Sequence, residues 1–178
     1  MCCKASSTPC WRYVPGTAKR EFVRILIELR RAGVEFIVVG GVAAVLEGVP
    51  VNTFDLDVVH SREAGNINRL LAALETLEAT YRISNDPKLK PAASHLISPG
   101  HQLLTTRFGP LDVLGSIGRS RSYNDLLPHV KEVELGQGLH VQVLNLETLI
   151  AIKEEIAGEK DLAVLPVMRR TLEEKRRR

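Results

Sequence analysis

Phe36-Ile37-Val38-Val39 runs without a polar break into Gly40-Gly41. A strand that is apolar at every position has no face to offer to water, so it belongs in the middle of a covered sheet. The glycines stop that strand, and Val42 to Glu47 reads as a short helix ending at Gly48. The apolar run from Phe36 to Leu46 lies between Glu35 and Glu47 and is too short to cross a bilayer. No membrane association is therefore expected. The composition agrees with a globule: 44% of the 178 residues are hydrophobic and 25% charged, which suits one domain. Aromatic residues make up only 4%, so the core must be built from Leu, Val, Ile and Ala.

The rest of the pattern alternates helices and strands. Thr17 can cap a helix over 17–32 in which Phe22, Ile25, Leu26 and Leu29 share a face, with Gly33 as its stop. Phe54 to Val59 reads as a second strand, followed by a helix over 64–79 with Ile67, Leu70, Leu71, Leu74 and Leu77 inward. A short strand is predicted at Tyr81-Arg82-Ile83, then a long loop over 84–100 carrying Pro87, Pro91 and Pro99. Leu103–Phe108 and Leu111–Leu114 form a predicted hairpin around Gly109-Pro110. A basic loop, Gly115–Ser122, leads to one helical turn at Tyr123–Leu127. Val130–Leu135 and Leu139–Leu144 form a second hairpin around Gly136-Gln137-Gly138. Two helices follow, Leu146–Ala157 and roughly Glu159–Lys175, the latter kinked or staggered at Pro166. Two antiparallel pairs among helices argue for an α/β (α+β) fold with a mixed sheet and flanking helices, not a doubly wound parallel sheet. The expected organisation is a flexible segment over 1–16, an α/β core over 17–145 and a helical extension over 146–178.

The net charge of +3 is unevenly placed. Lys4, Arg12, Lys19 and Arg20 face no acid in the first twenty residues, and Arg169, Arg170, Lys175, Arg176, Arg177 and Arg178 crowd the last ten. The body between them is acidic, which excludes a broad basic platform for nucleic acid. The ends can touch phosphates or can simply be solvated charge on a frayed helix end. Cys2, Cys3 and Cys10 all precede the predicted core and have no CxxC spacing or histidine-rich partner segment. A zinc site and a disulfide framework are not expected, and a reducing, cytoplasmic setting is.

Chemistry concentrates at three places. Asp55 and Asp57 lie two apart on a predicted strand, so both side chains point to one face while Leu56 points to the other. Two carboxylates held together repel unless a divalent cation takes them, and Mg2+ favours carboxylate oxygens with water and phosphate. Two solvated acids on an exposed strand face explain the pair equally simply. Gly40-Gly41 opens a helix after a buried strand, where N–H groups without a Cβ in the way can approach a phosphate. A tight strand-to-helix turn needs the same glycines, and the segment is neither GxGxxG nor a Walker loop. Asp112 interrupts the apolar Leu111-Asp112-Val113-Leu114, where an acid is costly unless it is paired, metal-bound or on an edge.

Together, Ile37-Val38-Val39-Gly40-Gly41, Asp55-Leu56-Asp57-Val58-Val59 and Leu111-Asp112-Val113 resemble the nucleotidyltransferase superfamily, the DNA polymerase β-like fold. The resemblance covers about residues 18–115. Within it, the chain is most similar to small stand-alone bacterial proteins related to AbiEii-type toxins, which commonly carry a lysine on one C-terminal helix and Lys-Asp on the next. Here those are Lys153 and Lys160-Asp161. Such proteins often have Arg-x-Thr before the acidic pair; Thr53 matches, and Val51 stands at the arginine position. The resemblance implies that Asp55, Asp57 and Asp112 are catalytic and hold two Mg2+ ions, with Asp112 also helping to deprotonate the attacking hydroxyl. It implies that Gly40, Gly41, Thr53, Lys153 and Lys160 bind the nucleotide. The implied reaction moves a nucleoside monophosphate from ATP or another NTP to a hydroxyl, on an RNA 3′ end or a protein, and releases pyrophosphate. A toxin–antitoxin or defence setting with a cognate antitoxin follows from the same resemblance. A small-molecule acceptor usually needs a larger acceptor-binding part than the short stretch after the last predicted strand.

Two other readings stay open. The chain can be a non-catalytic nucleotide- or partner-binding module on the same fold, or an α/β domain whose acids are incidental. His60, Arg62, Arg119 and Arg121 are candidates to touch substrate or phosphate, and each is equally explained as a loop residue. His95 and His101 bracket the proline-rich loop, which is a candidate lid or acceptor-binding loop. Surface pairing with Glu154 and Glu155 is the ordinary explanation of Lys153.

Overall fold

The computed structural model describes residues 16–83, 86, 88–156 and 158–177. The expected flexible segment lies outside them up to residue 15, and the Thr17 and Lys160 side chains lie outside the described ones. The order is α1 (Gly16–Arg31), β1 (Phe36–Val39), α2 (Gly40–Leu46), β2 (Leu56–His60), α3 (Ala64–Thr76), β3 (Thr80–Tyr81), α4 (Ala93–Ile97), β4 (His101–Thr106) and β5 (Gly109–Leu114). Then come α5 (Tyr123–Leu126), a 3-10 turn, β6 (Val130–Glu134), β7 (His140–Leu144), α6 (Leu146–Ile156) and α7 (Glu159–Arg176).

One seven-stranded sheet runs β3-β4-β5-β2-β1-β7-β6. Pairs β1–β2, β3–β4, β4–β5 and β6–β7 are antiparallel, and β1–β7 and β2–β5 are parallel. The sheet is mixed, as the two hairpins in the sequence require. All four residues of β1 are buried, because helices cover both faces of the central strands. Phe22, Ile25, Leu26 and Leu29 of α1 are buried together, as their spacing predicts. Helix α1 packs on α3, while α6 pairs with α7 and touches α2.

Several boundaries move for physical reasons. Strand β2 starts at Leu56 rather than Phe54, because β1 ends at Val39, opposite Asp57, and turns into α2. No β1 residue is left to pair with Asp55, which sits in the bend just before β2. The β4–β5 turn falls at Arg107-Phe108, two residues before the expected Gly109-Pro110, and Thr106 fixes it: its hydroxyl donates to the Gly109 carbonyl at 2.8 Å and accepts from the Phe108 N–H at 3.1 Å. The expected long loop over 84–100 contains the short helix α4, anchored by the buried Leu96. Pro166 lies inside α7, which continues to Arg176.

The C-terminal charge is not merely solvated. Lys175 donates to the backbone and carboxylate of Glu47, and Lys131 from β6 reaches the same carboxylate. Arg169 pairs with Glu154 at 2.7 Å. Glu47 is only 4% exposed and caps the C-terminus of α2, where the helix dipole disfavours an acid. The two lysines offset both costs and tie the end of α7 to α2. Glu47→Ala is expected to cost about 1–3 kcal/mol in chemical denaturation, with faster hydrogen exchange in the last turns of α7.

Candidate active site

Register assembles the acids. Asp57 of β2 lies directly beside Asp112 of β5, and Val39 of β1 lies on its other side. Cross-strand neighbours share a face, so the two carboxylates project together. Asp55 adds its charge from the bend before β2, and it raises the pKa of both other acids. Thr53 fixes that bend: it is buried, and its hydroxyl donates to the Asp55 carbonyl at 3.1 Å.

Burial, with Asp55 and Asp112 close by, pushes the Asp57 carboxyl up to about 7. The Gly41 N–H and the charge of Lys153 oppose this shift without cancelling it. Burial also raises the pKa of Asp112, and the neighbouring Arg82 guanidinium opposes it most. Arg82 forms an ion pair with the Asp112 carboxylate.

The Gly40-Gly41 turn abuts this cluster. Gly40 has a φ of +63°, and a Cβ there would run into the Asp57 carboxylate. A Cβ on Gly41 would overlap the Thr53 hydroxyl. Both glycines are therefore demanded by close approach of the backbone to the acidic loop, and the Gly41 N–H points at Asp57.

Lys153 arrives from α6. Its neighbours are engaged elsewhere: Glu154 pairs with Arg169, and Glu155 takes two bonds of 2.6 Å from Arg121. Lys153 itself lines a cavity of about 190 Å3. Val39, Leu114, Ile117, Leu149, Ile152 and Ile156 give that cavity apolar walls, and Asp57, Asp112, His101 and Lys153 give it its charged and polar groups. The bidentate Arg121–Glu155 bond clasps the Gly115–Ser122 loop to α6 and so holds one wall. Arg121 is a clasp, not a loose guide for a polyanion.

Of the other candidates, His60, Arg62 and His95 fall away from the acids and His101 does not. His60 ends β2 opposite Phe36, is buried, and sets its Nδ1 against the Ser61 carbonyl. Burial lowers its pKa. Arg62 reaches the Ile97 carbonyl at 3.4 Å. His95 meets the Tyr81 hydroxyl at 2.9 Å, while His101 reaches the cavity with its Nε2 at 3.1 Å from the Ser116 carbonyl. Arg82 is the charged member of the cluster that pattern reading passed over. The sequence shows it only as a basic residue within the short strand expected at Tyr81-Arg82-Ile83; β3 ends at Tyr81, and the pairing that brings Arg82 near Asp112 is set by β4.

No protein-family model matches the chain, and no curated protein matches it. Solved structures do. A protein of Thermotoga maritima assigned as a nucleotidyltransferase superposes with a TM-score of 0.55 at 17% identity, over 87% of this chain and 92% of that one. The fold is nucleotidyltransferase-like. The antibiotic-resistance factor ANT(2'')-Ia superposes with a TM-score of 0.59 at 16% identity, over 88% of this chain and 84% of its own. These likenesses fix the architecture of the nucleotidyltransferase-like sheet, and the chemistry has to be argued from the residues on it.

The residues suit a divalent cation in donor chemistry. Three carboxylates supply hard oxygen ligands, and burial first, then the charges of Asp55 and Asp112, push the Asp57 carboxyl to about 7. Among the described residues no three His, Cys, Asp or Glu side chains already converge as a metal-holding group, and Asp112 is engaged by Arg82.

Proposed function

We propose that the chain is an Mg2+-dependent nucleotidyltransferase that moves a nucleoside monophosphate from an NTP to a hydroxyl on an RNA 3′ end or a protein. The observation that carries this reading is the side-by-side register of Asp57 and Asp112 on parallel neighbouring strands, with Asp55 adjoining and the Gly40-Gly41 turn pressed against Asp57. Acids brought together beside a cavity suit a functional site better than a structural domain.

Asp55, Asp57 and Asp112 would hold the metal, which when bound supplies charge stabilisation to the attacking and leaving oxygens. The chain's own residues do the remaining work. Gly40 and Gly41 bring the start of α2 against Asp57 and Thr53, and their backbone N–H groups would meet phosphate oxygens there. Lys153 brings a positive charge to the same cavity and suits the developing charge on the leaving phosphates. Thr53 holds the Asp55 bend, and Lys160 is the second lysine candidate for those phosphates. Asp112 suits the side of the attacking hydroxyl, whose proton it would take up as the new phosphodiester forms. The apolar walls accommodate a nucleobase and exclude water from it.

The AbiEii resemblance suggests a toxin–antitoxin or defence role, with an antitoxin as partner and a cytoplasmic location. Val51 in the arginine position and Arg82 on Asp112 favour one alternative, a nucleotide-binding module without turnover.

Label transfer separates the two. The protein is incubated with each α-labelled NTP, Mg2+ and total RNA or lysate, beside Asp55→Ala/Asp57→Ala. Label on RNA or protein that disappears in the double variant is the expected result. A melting shift with Mg–NTP but no transfer would favour the binding module. Absence of both would overturn the nucleotide reading.

A further inference from the structure

The row of acids continues past Asp112 to a cation. Thr80 and Tyr81 of β3 pair with Thr105 and Leu104 of β4, and the Arg82 N–H donates to the Leu103 carbonyl at 2.9 Å. Leu103 in turn lies opposite Asp112, which lies beside Asp57. Arg82 is thus in line with both acids across the sheet, and its side chain crosses Leu103 to reach the Asp112 carboxylate. The contact is not sealed: the Arg82 side chain is 31% exposed and that of Asp112 is 12% exposed.

We infer that Arg82 is the resident counter-ion of Asp112: it positions the third carboxylate in the metal-free protein and gives it up when a divalent cation binds. This inference rests on the proposed metal-dependent function.

The physical reason is competition for one set of lone pairs. A carboxylate oxygen engaged by guanidinium is not free for a cation, and two positive groups on it repel each other. Guanidinium cannot lose its proton, so it cannot yield by neutralising. It has to swing away. Its solvent-facing side and its backbone anchor on β4 allow that swing without disturbing the sheet. Arg82 also explains how a buried acid beside two others tolerates the wait: of the groups that lower the Asp112 pKa, Arg82 lowers it most.

Mn2+ binding to the full-length protein, measured by calorimetry without nucleotide, tests this. Wild type is compared with Arg82→Gln and Arg82→Lys, with circular dichroism on each to show the fold is kept. Arg82→Gln is expected to bind Mn2+ about tenfold tighter, because the competitor is gone. Arg82→Lys should lie near wild type, since it keeps the charge. Equal affinity in wild type and Arg82→Gln would overturn the counter-ion role and leave the proposed function standing. Weaker binding in Arg82→Gln would also overturn it, showing that Arg82 supports the metal instead of excluding it. No Mn2+ binding by any of the three would overturn the metal-dependent function and this inference together. Binding by Arg82→Gln alone would support the inference most strongly.

Discussion

Asp57→Asn is expected to give a protein that is more stable at pH 8 and no longer transfers label. Unfolded, the Asp57 carboxyl titrates near 3.8; folded, it titrates at about 7. Between those values the folded chain holds a proton that the unfolded chain has released. The unfolded state then binds fewer protons, so stability falls as pH rises through the window. Above it the folded state carries an ionised, crowded carboxylate at a cost on the order of 2–4 kcal/mol. Asparagine has nearly the same shape and no charge, so it removes the slope. In the presence of a chelator, wild type should lose roughly 5–10 °C of melting temperature between pH 5 and pH 8, and the variant should lose far less. Transfer should fall by about 10^3-fold or more, because an amide is a poor ligand for a hard cation. Parallel pH–melting curves for the two proteins would show that Asp57 is not the group that carries the charge strain.

That cost also explains what could be read from the residues. The fully apolar β1 fixed the centre of the sheet, because only a covered strand tolerates Phe36 to Val39 without a polar position. Gly136-Gln137-Gly138 marked its hairpin through backbone that favours positive φ, and all three residues have it. Asp55, Asp57 and Asp112 stood out because acids in apolar company need a reason. Their adjacency could not be derived locally: it depends on β5 pairing parallel with β2, a long-range contact that the resemblance implied and no spacing shows. Arg82 and the Arg121–Glu155 clasp were hidden for the same reason, since each pairs residues thirty or more positions apart. Phe54 misled in the opposite direction. Its β-forming side chain reads as strand, yet β1 has already turned into α2 and leaves it without a partner.

Gly40→Ala is expected to be strongly destabilising. Two separate penalties meet there. A residue with a Cβ at φ +63° costs about 1–2 kcal/mol. The methyl group also overlaps the Asp57 side chain out to its Cγ, at 2.7 Å, so the short carboxylate cannot simply rotate aside. Forced repacking of that kind adds about 1–3 kcal/mol. The sum, roughly 2–5 kcal/mol, should appear as a fall in denaturation midpoint with an unchanged slope. The two terms separate in a double-mutant cycle with Asp57→Ala. Removing the carboxylate abolishes most of the collision but leaves the backbone cost, so Gly40→Ala should be about 1–3 kcal/mol milder in that background. If the two changes are instead additive, the turn does not press on Asp57 and the glycine serves the backbone alone. Activity discriminates further. A displaced Asp57 should weaken Mn2+ binding as well as label transfer, whereas a purely conformational defect would leave metal affinity intact in the folded fraction.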